Sequence, residues 1–203
     1  LLCLLMNAKY SAISQVMAAV APMVEPQLVA KGHEVTVVAR SAESAGRLEA
    51  QGARPVVVNL FDADHVKRVV RRHEVIVNLA THIPPASRAF LPGAWRENNR
   101  IRREASHNLV DAGLAAGVGR FVQESFAGIY VDCGDEWIHE GDPVRPARYV
   151  RSMIDAEQQA RRFAGADGVG VILRFGLFYG PDSSHTVDTI PFFIFYSMFG
   201  FQR

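Results

Sequence analysis

The feature that most constrains this chain is an alternation that begins near Gly32 and runs to Phe175. Short runs rich in Val and Ile are bounded by turn residues and followed by stretches with helical periodicity. The strand-like runs are residues 34–39 (EVTVVA), 54–58 (RPVVV), 75–79 (VIVNL), 120–124 (RFVQE) and 169–175 (VGVILRF). Helical patterns cover 42–51, 62–73, about 95–116 and about 147–165. Asp62 fits the N-cap of the second of these, and Pro146 fits the first-turn position where proline is tolerated in the last. Nearly continuous apolar strands separated by amphipathic helices are what a parallel sheet covered on both faces requires. One helix per connection then gives right-handed crossovers. The expected fold is α/β, a doubly wound parallel sheet.

Composition narrows the function. Of 203 residues, 49% are apolar and 21% charged, which suits one soluble domain with a sizeable core. The net charge is +1 and the Lys and Arg residues are spread along the chain, so neither nucleic acid nor an anionic membrane is expected as a partner. A homodimer is one expected assembly, and the small-molecule substrate is what the family resemblance given below implies. The only cysteines, Cys3 and Cys133, are far apart and have no metal-type spacing, which points to a reducing, cytoplasmic location without structural zinc. The opening LLCLLM is too short for a signal sequence. The apolar 190–201 (IPFFIFYSMFGF) is shorter than the roughly 20 residues of a membrane span, and reads as a core element whose continuation is missing. The chain also begins without Met, so its start is expected elsewhere.

Six stretches, in order and spacing, resemble the extended short-chain dehydrogenase/reductase superfamily, in its NAD-dependent epimerase/dehydratase branch. They are GHEVTVVAR (32–40), VNLFDAD (58–64), VIVNLAT (75–81), NLVDAGLAAGVGRFVQESFAGIY (108–130), YVRSMIDAE (149–157) and VILRFGLFYGP (171–181). The resemblance covers about 23–182 and implies a Rossmann-like core that binds NAD or NADP, with the ligand across the carboxyl ends of the strands. Residues 183–203 are expected to be the remnant of a C-terminal substrate region, and 1–22 a divergent segment. At the family's glycine-loop positions stand Ser14, Gln15, Ala18 and Ala21, without the glycines that permit a tight turn and a close approach to pyrophosphate. Either the loop is altered, or the segment before about Met23 is foreign to the fold.

By the same resemblance, Arg40 ends the second strand where an arginine accommodates a ribose 2′-phosphate, which favours NADP over NAD. Asn59 and Leu60 take the adenine-contacting positions. Leu79, Ala80 and Thr81 lie beneath the cofactor, and Phe175 and Gly176 lie near the nicotinamide. The family's catalytic Tyr-x-x-x-Lys begins at Tyr149, but Met153 replaces its lysine. A spacing of four puts both side chains on one helix face, where a cation would lower the phenol's pKa. Without it a phenol, of ordinary pKa about 10, can donate a proton at neutral pH but is a poor base. Arg145 and Arg151 are the candidate replacement cations. The family's hydroxyl position falls on Phe126, with Ser125 one residue earlier and so on the opposite strand face; Ser125 can serve only if the strand end is distorted. The implied activity is hydride transfer to or from a small carbonyl or sugar-type substrate, with Tyr149 as proton donor. A non-catalytic NAD(P)-binding module and a truncated, inactive relative are the alternatives.

Overall fold

The structure is a computed structural model and describes residues 2–4, 24–39, 42–84, 88, 89 and 91–176. Its strands are β1 (Leu2–Leu4), β2 (Thr36–Val38), β3 (Arg54–Val56), β4 (Val75–Asn78), β5 (Arg120–Phe126) and β6 (Val169–Phe175). All pair in parallel in the order β3-β2-β1-β4-β5-β6. The order reverses at β1, which pairs with both β2 and β4, and this leaves a crevice outside the carboxyl ends of the strands. Part of the 1–22 segment therefore contributes to the sheet.

The helices are α1 (described over 24–30), α2 (Ala42–Ala50), α3 (Ala63–Val70), α4 (Arg96–Arg100), α5 (Ser106–Ala116) and α6 (Ser152–Ala164). Asp62 caps α3, accepting from His65 N at 2.9 Å. The helix ends three residues before its sequence pattern does, because Arg71 leaves helical geometry and Arg72 turns at φ +70°. Between α4 and α5 a π-helical turn, Ile101–Ala105, interrupts the long pattern. Pro146 precedes a 3₁₀ turn, Arg148–Val150, rather than standing in the first turn of α6 as its position suggested.

The alternating pattern sorts the core onto two faces. Val35, Val37 and Ala39 point to one, with Leu48 of α2, Leu79 and half-buried Leu28 and Val29 of α1. Val38, Ile76 and Phe121 point to the other, with Val66 and Val70 of α3, Leu109 and Val110 of α5 and Phe163 of α6. Phe121 and Phe163 are fully buried with ring centroids 5.7 Å apart, and each contributes about 1.5–3 kcal/mol by burial. Gly170 lets α6 lie close on β6: a Cβ there would fall 2.1 Å from the carbonyl oxygen of Ala160. β5 runs two residues beyond its sequence pattern, because Ser125 and Phe126 pair with Arg174 and Phe175. That register carries the strand end into the site.

Candidate active site at the carboxyl ends of the strands

At the end of β5 the residues Gln123, Glu124 and Ser125 are all buried, which is unusual for three consecutive polar side chains and demands partners. Gln123 Oε1 accepts from Asn78 Nδ2 at 2.9 Å, which ties β5 to β4. Ser125 Oγ donates to Glu157 Oε1 of α6 at 2.7 Å. Arg174 of β6 grips the same carboxylate with Nε and Nη2, both at 2.7 Å, and reaches the Tyr130 hydroxyl with Nη1 at 2.6 Å. Burial would raise the Glu157 carboxyl. The hydrogen bonds from Arg174 and Ser125 and the charges of Arg174 and Arg161 outweigh it and hold the group below the ordinary carboxylate range. Bonding to Glu157 in turn pushes the Arg174 guanidinium up.

Tyr149 lies in the 3₁₀ turn ahead of α6 rather than within the regular helix. It is 53% exposed, and its ring stands 5.1 Å from that of Trp95. Trp95 lines an open cleft of about 630 Å³ together with Arg96, Asn99, Arg100 and Arg103. Met153 is 4% exposed and packs with Ile129 and Val150, its Sδ 4.0 Å from Ser125 Oγ. The lysine position is thus filled by an apolar contact. Arg145 and Arg151 are exposed. Among the described residues no hydrogen bond joins Tyr149 to Ser125; the structure brings Ser125 to Glu157 instead.

The turn after β4 is held from α4. Thr81 Oγ1 donates to Asn98 Oδ1 at 2.9 Å, and His82 N donates to the same oxygen at 2.9 Å. One helical turn on, Arg102 pairs with Glu124 at 3.0 Å, both side chains 1% exposed, and its Nη2 stands 3.5 Å from Thr81 Oγ1. Leu79, Ala80 and Thr81 are all buried. Among the described residues, Asn98 Nδ2 and Arg102 Nε and Nη1 are buried without a partner, each a desolvation cost of about 1–3 kcal/mol.

Leu60 is 5% exposed and packs into the core against α3 and α5, while its carbonyl accepts from Asn108. Asn59 is exposed and closes its own turn, with Oδ1 accepting from Phe61 N at 3.0 Å. Phe175 packs beside Leu79 at the carboxyl edge. Gly176 is exposed, and among the described residues nothing lies within 4 Å of a Cβ placed there. Arg40, Ser14, Gln15, Ala18 and Ala21 lie outside the described residues. The open Gly176 leaves this strand edge free of bulk, as a flat group lying across it would need. Among the described residues no cluster of His, Cys, Asp and Glu could hold a metal ion, and no helix is long and apolar enough to cross a membrane.

Sequence reading missed Glu157, Arg174, Asn98, Arg102 and Glu124. The available signal was charge out of place: Arg174 interrupts VILRF and Glu124 interrupts FVQESF, both inside runs expected to be buried.

Residues 18–187 match the family described as NAD(P)H-binding. A curated relative, the 3-diazoavenalumate denitrifying reductase of a Streptomyces species, is 31% identical over 170 residues, 79% of this chain and 53% of that protein. The chain thus spans about half the length of the curated relative it matches. Among solved structures, the UDP-glucose 4-epimerase of Thermus thermophilus, in complex with NAD, gives a TM-score of 0.66 at 23% identity, covering 93% of this chain and 60% of the other. The Thermotoga maritima UDP-glucose 4-epimerase with UDP-glucose gives 0.65 at 19%, over 89% and 56%. The DesIV dTDP-glucose 4,6-dehydratase double mutant from Streptomyces venezuelae, with NAD bound, gives 0.64 at 22%, over 96% and 62%. These likenesses show the Rossmann-like fold of epimerase and dehydratase enzymes. With the match spanning most of its length and the crevice at the expected edge of the sheet, this chain belongs to the NAD(P)H-binding family.

Proposed function

We propose that the chain forms the cofactor-binding part of a cytoplasmic oxidoreductase or epimerase/dehydratase-like enzyme that acts on a small carbonyl or sugar-type substrate. The bound nicotinamide would supply or accept hydride at C4. Tyr149 gives the proton to the carbonyl oxygen as it is reduced, while Ser125 sits on a regular strand end with its own proton held by Glu157, so that its part is to hold Glu157 rather than to donate. Leu79, Ala80, Thr81, Phe175 and Gly176 form the bed for the nicotinamide end. Asn59 and Leu60 lie toward the adenine, Leu60 through its backbone.

The observation that carries the reading is Tyr149, an exposed phenol whose ring lies against Trp95, and Trp95 in turn lines an open cleft. A phenol with no lysine beside it favours proton donation over abstraction, so reduction is the favoured direction. The relative named as a reductase supports the same direction, and makes 3-diazoavenalumate the first acceptor to try. Arg40 favours NADP over NAD.

The second reading is a non-catalytic NAD(P)-binding module, favoured by Met153 standing in an apolar contact where a catalytic cation belongs. Titration with NADPH and NADH, followed by nicotinamide fluorescence, tests the binding both readings need. Absence of binding at millimolar cofactor would sink both. Binding without turnover of 3-diazoavenalumate or of a panel of aldehydes and ketones leaves the module.

A further inference from the structure

The open cleft beside Trp95 is lined almost wholly by donors. Arg96, Asn99, Arg100 and Arg103 follow one another at i, i+3, i+4 and i+7 along α4 and the π-helical turn, and among the described residues Glu104 is the one carboxylate that joins them in the lining. The guanidiniums are only partly spent. Arg100 gives Nε to Glu104 at 2.8 Å and lies over the Phe61 ring, 3.8 Å from its centroid, while Arg103 gives Nε to Asp155. The Nη groups of both have no acceptor among the described residues, and Arg96 has none for its whole guanidinium. Asn99 Oδ1 accepts from Ser152 Oγ at 2.7 Å, so the Nδ2 hydrogens are the ones it has left to give. Trp95 supplies a different surface. Its Nε1 is spent on the Ala89 carbonyl at 2.8 Å, so the indole brings a flat apolar face and no donor.

Charge selects what such a cleft takes. Three guanidiniums stand against Glu104, and Asp155 balances only one more of them, so positive charge is left over. Exposed arginines on a helix are ordinarily served by water. These converge instead on one concavity of about 630 Å³ with an aromatic wall. A carboxylate on a flat ring answers both features: the planar guanidinium fork matches its two oxygens, and the ring lies against the indole. The Tyr149 ring is 5.1 Å from that of Trp95, so a body held there lies beside the phenol. We propose that the cleft takes the carboxylate of an aromatic carbonyl substrate, with Arg96 as its chief partner, and so selects anionic aldehydes and ketones over neutral ones. The inference rests on the reading of Tyr149 as proton donor and names the class of substrate that it serves.

The test uses the full chain and two probes that share a ring and an aldehyde, 4-formylbenzoate and its methyl ester. With NADPH the aldehyde carbon takes the hydride and its oxygen the Tyr149 proton, giving the alcohol and NADP. The acid should be favoured over the ester by about tenfold or more in kcat/KM, carried by KM. That ratio should fall toward one in Arg96→Met, a change at an exposed position. Calorimetric titration with and without saturating NADP, which cannot reduce the aldehyde, reads the same preference in the absence of turnover. An acid that binds no more tightly than the ester, or a preference that survives Arg96→Met, overturns the proposal. Inorganic phosphate that displaces the acid at equal concentration marks a general anion patch and overturns it too. So does loss of acid binding when NADP is added, which would assign the arginines to the phosphates of the cofactor. Acid binding that depends on Arg96, with neither probe turned over, upholds the carboxylate cleft and sinks the reading of Tyr149 as proton donor.

Discussion

Ser125 Oγ lies 2.7 Å from Glu157 Oε1, on a carboxylate that Arg174 already holds through two of its nitrogens. Glu157 is fully buried and Arg174 nearly so. Glu157→Leu should therefore lower unfolding free energy by about 3–5 kcal/mol, because it leaves the guanidinium uncompensated. Urea denaturation of the two proteins reads this directly, and a loss below 1 kcal/mol would contradict the network.

The same carboxylate sets a pH dependence. Its folded pKa lies below the ordinary 4.5, so the unfolded chain binds the proton more tightly. The stabilisation is fully present above about pH 4.5 and is lost as pH falls through the lower folded value. Melting temperatures between pH 6 and pH 3 should drop more steeply in the parent protein than in Glu157→Gln.

Glu25 gives the opposite sign. It is fully buried and, among the described residues, without a partner for either oxygen, and burial raises its pKa above 4.5 against a smaller pull from Arg47. Folding then favours the protonated acid: this contribution is full below pH 4.5 and is lost as pH rises through the raised folded value. Glu25→Leu should stabilise the protein at pH 7 by on the order of 1–3 kcal/mol and little at pH 4. Paired denaturation curves at the two pH values decide.

Two glycines separate structure from ligand binding. Gly170→Ala should destabilise by about 1–3 kcal/mol, since the added methyl collides with the Ala160 carbonyl. Gly176→Ala meets nothing within 4 Å among the described residues, so its melting temperature should match the parent while NADPH affinity falls. Unchanged NADPH affinity in Gly176→Ala would remove that residue from the cofactor bed.

For the chemistry, Tyr149→Phe should reduce kcat for a reducible carbonyl on the order of 10²-fold or more, with the NADPH Kd unchanged. Ser125→Ala should reduce it less, since that hydroxyl already donates to Glu157. Equal losses from the two substitutions would argue for a joined pair that the structure does not contain.

The alternation from Gly32 to Phe175 made the sheet legible, and β6 was read to the residue because five of the seven positions of VGVILRF carry Val, Ile, Leu or Phe. β1 was missed: a three-residue strand without a glycine turn behind it carries almost no local signal. Tyr149 was legible as a position but not as a conformation, because a 3₁₀ turn and the first turn of a helix share one pattern. Of the Asn98, Arg102 and Glu124 cluster only a trace was legible. It joins residues 22 apart through hydrogen bonds that follow no period, and only buried charge inside β5 hinted at it.

Glu124 and Ser125 are neighbours on one strand, so their side chains leave it on opposite sides. One is moored to the π-turn through Arg102, the other to α6 through Glu157. The tip of β5 thus behaves as a crossbar fixed at both ends. A shift that loosened one mooring would strain the other, so the turn under Thr81 and the first turns of α6 must move together or not at all. A ligand that settles against either side would be felt on both.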